Sequence, residues 1–146
     1  MEYGCRINNQ TCDYPNKTLS GVGIVYKFCQ YLDTLINKEP HADDILDLVA
    51  VGMVADVMAL TEYETRELIS EGVNHIINPF LKLLVQKQEY KLGNEITPFG
   101  ISFYIAPLIN AVIRMGTIEE KIVLFESMLN YKAYEQIPST KRGCKG

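Results

Sequence analysis

The chain has 146 residues, of which 47% are hydrophobic and 22% charged, a composition typical of one globular domain with a substantial core. Its formal net charge of −4 disfavours nucleic-acid binding by bulk electrostatics alone. The last sixteen residues hold four Lys or Arg against Glu135 alone, or +3, which leaves −7 for the first 130. Such a basic tail is usually a solvated end.

The four cysteines form no C-x-x-C pair, and Cys5 and Cys12 stand too far apart for a usual zinc knuckle. No signal peptide opens the chain, and no run of about 18 or more apolar residues is free of charges and turn breakers. We therefore expect reduced thiols, a cytoplasmic protein and no membrane partner.

Residues 1–15 are predicted to be irregular, with Cys5-Arg-Ile-Asn8 as a candidate short strand. A first helix starts near Leu19, and Thr18 or Ser20 can cap it. Gly21 and Gly23 in its first turn would allow either close packing of a neighbour or approach of an anion. The helical spacing is carried by Val22, Val25, Cys29, Leu32 and Ile36.

The second predicted helix, residues 44–60, contains a stretch that is apolar on every side except for Asp56. Such a segment belongs inside a domain, where an ionised carboxylate is costly unless it is paired, hydrogen-bonded or bound to a metal. Asp47 lies two and a half turns earlier and points to roughly the opposite face, so the two aspartates cannot share an ion on a continuous helix. Asp43 and Asp44 suit the start of this helix.

Two further helices follow. Thr61-Glu-Tyr-Glu64 is a capping-box pattern that predicts a helix to about Ile77. Asn78-Pro79 then predicts a cap and a first helical proline, with the helix running to about Lys87. Residues 89–95 are predicted to form a polar loop.

The last two helices repeat these signals. Thr97-Pro98 starts a segment to Met115, which Pro107 should break or kink near Ala106, and Gly116 closes it. A second capping box, Thr117-Ile-Glu-Glu120, opens a final helix that is predicted to reach about Tyr134. The apolar stripe of this helix comprises Ile118, Ile122, Phe125 and Leu129.

Candidate chemistry is sparse in the residues alone. Asn110 and Arg114 are four apart on one helical face, and they suit either a phosphate or unpaired backbone groups at the proline break. His41 and His75 are isolated, and a lone histidine is more often a surface or core residue than a metal ligand. The chain therefore has one conspicuous carboxylate, Asp56, and no complete active site.

Three stretches together resemble one family. They are Tyr14-Pro-Asn-Lys-Thr-Leu-Ser-Gly-Val-Gly-Ile-Val-Tyr-Lys-Phe28, Leu46-Asp-Leu-Val-Ala-Val-Gly-Met-Val-Ala-Asp-Val-Met-Ala-Leu60 and Ile105-Ala-Pro-Leu-Ile-Asn-Ala-Val-Ile-Arg-Met-Gly116. In order and spacing they resemble RecJ, the single-stranded-DNA-specific exonuclease of the DHH phosphoesterase superfamily, and the match looks closest to phage-borne members. The resemblance covers nearly the whole chain.

The elements taken in chain order predict a mostly α chain of about six helices with one candidate short strand, and the resemblance implies that this chain is cut from the middle of a larger protein. Residues 1–95 would be the C-terminal part of an α/β DHH phosphoesterase domain, 96–135 a connecting helical segment, and 136–146 a basic tail before a second domain. The whole enzyme would be a 5′-3′ exonuclease of DNA repair and recombination that uses Mn2+ or Mg2+. Its partners would be single-stranded DNA and a single-stranded-DNA-binding protein.

The resemblance also implies residue roles. It places Asp56 among the metal ligands and Asn110 and Arg114 near the nucleic-acid phosphates. The chain departs from the family where Leu108 replaces a usual arginine and Ile113 a usual glycine, which weakens the expected phosphate clamp.

The Asp-His-His signature that completes the family's metal site is expected upstream of Cys5. We therefore expect this chain alone to lack exonuclease activity, because one aspartate cannot hold two ions. The alternative is a non-catalytic helical module that binds DNA or another protein, and a third interpretation is a chain that is inert without its partner strands.

Overall fold

The computed structural model describes residues 6–36, 40–93 and 95–129. This part of the chain is helical and contains no strand, so the mostly α prediction is confirmed. Arg6, Ile7 and Asn8 form no strand, and that part of the prediction is wrong. The elements are α1 (Gly21–Ile36), a 3-10 turn (Ala42–Ile45), α2 (Leu46–Ala55), α3 (Tyr63–Asn74), α4 (Pro79–Lys87), α5 (Glu89–Leu92), α6 (Pro98–Gly100), a π-helical segment (Ile101–Ile105), α7 (Ala106–Met115) and α8 (Ile118–Met128).

Helix α2 is the centre of the fold, as its all-round apolar sequence predicts. It contacts α1, α3, α7 and the π-helical segment, and Val49, Ala50 and Met53 are almost fully buried. The crossing with α3 is close enough to require a glycine. A Cβ atom added at Gly72 would clash with the carbonyl oxygen of Leu46 and lie 2.5 Å from the Cβ of Ala50.

Helix α1 packs closely on α2 at Gly52, where an added Cβ atom would lie 2.9 Å from a side-chain carbon of Val22. A Cβ atom at the buried Gly23 would lie 3.4 Å from the sulfur of Met53, an ordinary contact, and one at the exposed Gly21 would have nothing within 4 Å. The hydroxyl of Ser20 is buried and has no hydrogen-bond partner among the described residues. Val25 and Ile36, expected on the buried stripe, are more than half exposed.

The predicted boundaries of two helices were wrong. The second helix ends at Ala55 instead of Leu60, and a 3-10 turn precedes it. The third helix begins after Glu62 rather than after a capping Thr61, and it ends at Asn74 instead of near Ile77. The Thr61 capping box does not form, because Glu64 is engaged elsewhere.

Three predicted helix starts are confirmed by their hydrogen bonds. The side chain of Asn78 accepts from the amides of the second and third residues of α4. Thr97 accepts from the Gly100 amide at 3.1 Å. Thr117 and Glu120 form the complete capping box of α8. The predicted polar loop 89–95 differs, since it opens with the short helix α5 and turns at Gly93, where φ is 74°.

Pro107 changes the helix just where a break was expected. A proline has no amide hydrogen and clashes with the carbonyl four residues before it. The helix accommodates the proline through a π-helical segment that ends at Ile105, and α7 starts at Ala106. The resulting stretch Pro98–Met115, with a mean hydropathy of 1.3, is long and apolar enough to cross a membrane by length and composition only. Its buried residues Ile101, Ile105 and Ala106 lie in the protein core.

Helix α8 covers one edge of the domain beside α4 and α7. The amide side chain of Asn78 donates to the carbonyl oxygen of Met128 at 2.9 Å and fixes the end of α8 on the start of α4. The expected apolar stripe of α8 exists but is not buried among the described residues. The predicted end of this helix near Tyr134 and the basic tail lie outside the described residues.

Candidate metal and nucleic-acid site

Asp56 lies immediately after the last residue of α2. Its amide donates to the carbonyl oxygen of Gly52 at 3.0 Å, so the backbone still closes the helix, while its side chain is exposed. The next residue, Val57, has φ 53° and is 84% exposed. A β-branched residue in this left-handed region costs about 1–3 kcal/mol, and such strain is concentrated at functional sites. The turn thus presents the Asp56 carboxylate to solvent at the edge of the core.

The buried carboxylate of α2 is Asp47, with a relative exposure of 1%. One of its oxygens accepts from the amides of Ile77 and Asn78 at 2.8 and 2.7 Å, and the other accepts from the Leu48 amide at 2.7 Å. Of the two environments that the sequence leaves open for Asp56, burial in the core and exposure to solvent at an otherwise covered face, the structure shows exposure. Asp47 holds the turn between α3 and α4, a structural role that the sequence did not predict.

Asn110 and Arg114 lie one turn apart on α7, which packs against α2. Arg114 is exposed and Asn110 is half-buried. Neither side chain makes a hydrogen bond or ion pair with another described residue, so the alternative in which they satisfy backbone groups at the proline break finds no support. The structure places Asp56 directly after α2 and places Asn110 and Arg114 on the contacting helix α7, and no polar contact joins Asp56 to the other two.

The described residues contain no group of three or more His, Cys, Asp or Glu side chains that could hold a metal ion. His41 is exposed, with its Nδ1 atom 3.3 Å from a carboxylate oxygen of Asp44, and the His75 Nδ1 atom lies 3.3 Å from the carbonyl oxygen of Glu71. Hard divalent cations take about six oxygen ligands. Residues 6–36, 40–93 and 95–129 therefore do not form a metal site by themselves.

A polar network fixes the first of the three motifs on α3. The carboxylate of Glu64 accepts from the hydroxyl of Tyr14 and the ammonium of Lys27 at 2.8 Å each, and from the amide of Asn16 at 2.9 Å. Asn16 also donates to the hydroxyl of Thr65 at 3.0 Å. The sequence pattern predicted that Glu64 belongs to a capping box, and this prediction was wrong. The only sequence signal for its actual partners is that Tyr14 and Asn16 belong to the first of the three motifs.

The ionisation of this network follows from its contacts. Burial opposes the charged form of Glu64, but the hydrogen bonds from Lys27, Asn16 and Tyr14 hold the pKa of its carboxyl below the usual value. Burial, followed by the hydrogen bond to Glu64, raises the pKa of Tyr14 to about 12. Glu64 is thus a charged anchor that ties the motif loop to the first turn of α3.

Comparison with known proteins confirms the resemblance found in the motifs. The chain is 42% identical over 143 residues to a protein named as the single-strand DNA-specific exonuclease YorK, derived from the SPbeta prophage of Bacillus subtilis. It is 32% identical over 127 residues to the single-stranded-DNA-specific exonuclease RecJ of Bacillus subtilis, and 27% identical over 131 residues to that of Escherichia coli.

These matches cover 97%, 85% and 80% of the chain but only 24%, 15% and 22% of the three relatives. The chain thus spans about a quarter or less of the length of the curated relatives that it matches. No family model and no solved structure matches it.

Proposed function

We propose that this chain, which is related over nearly its whole length to a segment of the RecJ-like single-strand-DNA-specific exonucleases, forms part of such an enzyme. In this proposal the chain supplies Asp56 as one ligand of a divalent cation, Mn2+ or Mg2+. Asn110 and Arg114 supply contacts along the path of the single-stranded DNA. The remaining metal ligands come from the part of the enzyme that corresponds to the other three quarters of the relatives.

The observation that carries the proposal is the exposed carboxylate of Asp56, which directly precedes the strained residue Val57. An aspartate that served only to end α2 would not need a valine at φ 53° directly after it, because glycine or asparagine adopts this conformation without the same cost. The second aspartate of the helix, Asp47, is fully occupied by backbone amides and is not available to a cation. Asp56 is thus the carboxylate of this helix that is free to reach a ligand.

Arg114 adds the charge that a phosphate contact needs. It is exposed on α7, and no described carboxylate pairs with it, so its guanidinium can bind a phosphate bidentately. Asn110, one turn earlier, faces the same side of the helix and can donate a hydrogen bond to the same strand. Since Leu108 and Ile113 contribute no charge, we expect contact with few phosphates and a modest dependence of affinity on salt.

A chimera tests the metal-ligand role. This chain would replace the matched 143 residues of YorK, and release of mononucleotides from labelled single-stranded DNA would be measured with Mn2+. Asp56→Asn should lower the rate by about 100-fold or more, because the loss of an inner ligand weakens or misplaces the cation. The matched control is Asp44→Asn, an exposed aspartate whose carboxylate contacts His41 alone among the described residues. Equal rates for the two variants would contradict the role of Asp56.

The isolated chain provides the complementary test. We expect no release of mononucleotides with Mn2+, because one carboxylate does not hold a catalytic ion. Activity that Asp56→Ala abolishes would show that the chain completes its own site, contrary to the proposal. Salt-dependent binding of single-stranded DNA by the isolated chain, without cleavage by the chimera, would favour the non-catalytic module instead.

Removal of the positive charge of Arg114 tests the proposed DNA contact. In the chimera, Arg114→Ala should weaken the binding of single-stranded DNA and reduce the slope of log K against log salt by about one unit. Lys82→Ala, which removes an exposed cation from α4, is the control and should leave both quantities unchanged. The same slope for Arg114→Ala and the unmodified chimera would exclude a phosphate contact.

A further inference from the structure

The outer face of α8 carries an apolar stripe with the spacing of a helix that packs against a partner. Its members are separated by four, three and four residues, the repeat of a buried helical seam. Each is at least half exposed: Ile118 72%, Ile122 50%, Phe125 62% and Leu129 52%. Four large apolar side chains in register on one surface are not the scattered exposure that a solvated helix shows.

Helix α7, which contacts α8, also exposes large apolar side chains on one side. Met115, which ends α7, is 75% exposed, and Leu108, seven residues or about two turns earlier on the same side, is 40% exposed. Charged residues of α8, Glu119, Lys121 and Glu126, border the stripe and give it the polar rim of a protein–protein interface.

A second copy of α8 alone cannot cover this face stably. The 11 residues of α8 span roughly 16 Å, and a helix with side chains is about 10 Å wide, so a symmetric helix pair would bury on the order of 300 Å². Stable interfaces bury about 1,200–2,000 Å². The occupant must therefore be larger than one helix and must extend over α7 as well.

We infer that the α7–α8 face, defined by Leu108, Met115 and the four stripe residues Ile118, Ile122, Phe125 and Leu129, docks the remainder of a RecJ-like enzyme. The reason is the length of this relative. Nearly all of the present chain aligns with 24% of YorK, so about three quarters of that protein lies outside the aligned segment and is available to cover the face. The occupant presents an apolar surface, whether it is continuous with this chain or a separate polypeptide. This inference rests on the proposed function only for the identity of the occupant.

Thiol labelling tests the inference without DNA or metal. Phe125→Cys would be introduced into the full 146-residue chain with Cys5, Cys12, Cys29 and Cys144 replaced by serine, and into the YorK chimera of the same background. Labelling by a maleimide should be fast in the chain and about tenfold or more slower in the chimera, because a covered thiol reacts only through local opening. Tyr90→Cys, on the fully exposed face of α5, is the control and should react equally in both.

Each result decides the question. Equal labelling of Phe125→Cys in the chain and the chimera overturns the inference. Slow labelling of Phe125→Cys in the isolated chain also overturns the inference. The face would then be covered by the chain's own C-terminal residues or, if the labelling rate depends on protein concentration, by a second copy of the chain. Because a chimera can fail to fold, the same measurement is made on YorK itself at the position aligned with Phe125, where protection is again expected and free reaction overturns the inference. A chimera that protects Phe125→Cys but lacks exonuclease activity would refute the proposed function and leave the docking face standing.

Discussion

Replacement of the buried Asp47 should destabilise the fold more than replacement of Asp56, the exposed aspartate that follows α2. The carboxylate of Asp47 is almost fully buried and accepts hydrogen bonds from the amides of Ile77 and Asn78 at 2.8 and 2.7 Å. Asp47→Ala leaves both donors without a partner, and each buried unsatisfied donor costs about 1–3 kcal/mol. We therefore expect a loss of about 3–5 kcal/mol, a large part of the roughly 5–15 kcal/mol that stabilises a typical domain.

A graded series separates the hydrogen bonds from the side-chain volume. Asp47→Asn keeps one oxygen acceptor in place and should cost less, about 1–2 kcal/mol. The control Asp44→Ala removes an exposed carboxylate and should stay within about 0.5 kcal/mol of the unmodified chain. Urea denaturation followed by far-UV circular dichroism gives the free energies, and the m-value should not change. A loss below about 1 kcal/mol for Asp47→Ala would refute the assignment of Asp47 as the clamp of the α3–α4 turn.

Three further variants test the fold around the candidate site. Val57→Asn should raise the free energy of unfolding by about 0.5–1 kcal/mol, because asparagine tolerates φ 53° and the valine side chain is 84% exposed; an unchanged or lower urea midpoint would contradict the strain. Because the pKa of Glu64 is lowered in the fold, its contribution to stability is present above its ordinary value of 4.5 and is lost as the pH falls through the folded pKa. Glu64→Gln should therefore flatten the loss of stability in acid, measured by urea titrations at a series of pH values, whereas the exposed control Glu62→Gln should keep the slope of the unmodified chain. Gly72→Ala should force α2 and α3 apart and lower the thermal midpoint, and a midpoint equal to that of the unmodified chain would contradict the close approach of Gly72 to Leu46.

Local signals in the sequence predicted three helix starts correctly. Asn78-Pro79, Thr97-Pro98 and the Thr117 capping box all form as expected, because a cap needs atoms only three residues apart. The same reasoning failed at Thr61, where Glu64 is drawn into contacts with Tyr14 and Asn16 about fifty residues earlier. A capping box is a local preference, and a partly buried network in which three side chains donate to Glu64 outweighs it.

For the candidate site, the motifs are enough to identify the residues proposed to carry the chemistry. Their order and spacing indicate the RecJ-like relationship, and with it Asp56, Asn110 and Arg114, independently of any tertiary contact. The packing of α2, in contrast, determines which carboxylate of that helix is buried. Sequence spacing placed Asp47 and Asp56 on opposite faces, but hydropathy could not tell which face meets the core, since the helix is apolar all round.

The other differences from the sequence prediction also arise from contacts between distant segments. Helix α2 ends at Ala55 because the turn at Val57 takes a left-handed conformation that no propensity for valine predicts. The apolar stripe of α8 was predicted correctly as a pattern, yet only the fold shows that the described residues leave it uncovered. Periodicity specifies which side of a helix is apolar, whereas the identity of the surface that buries it is a property of the assembled protein.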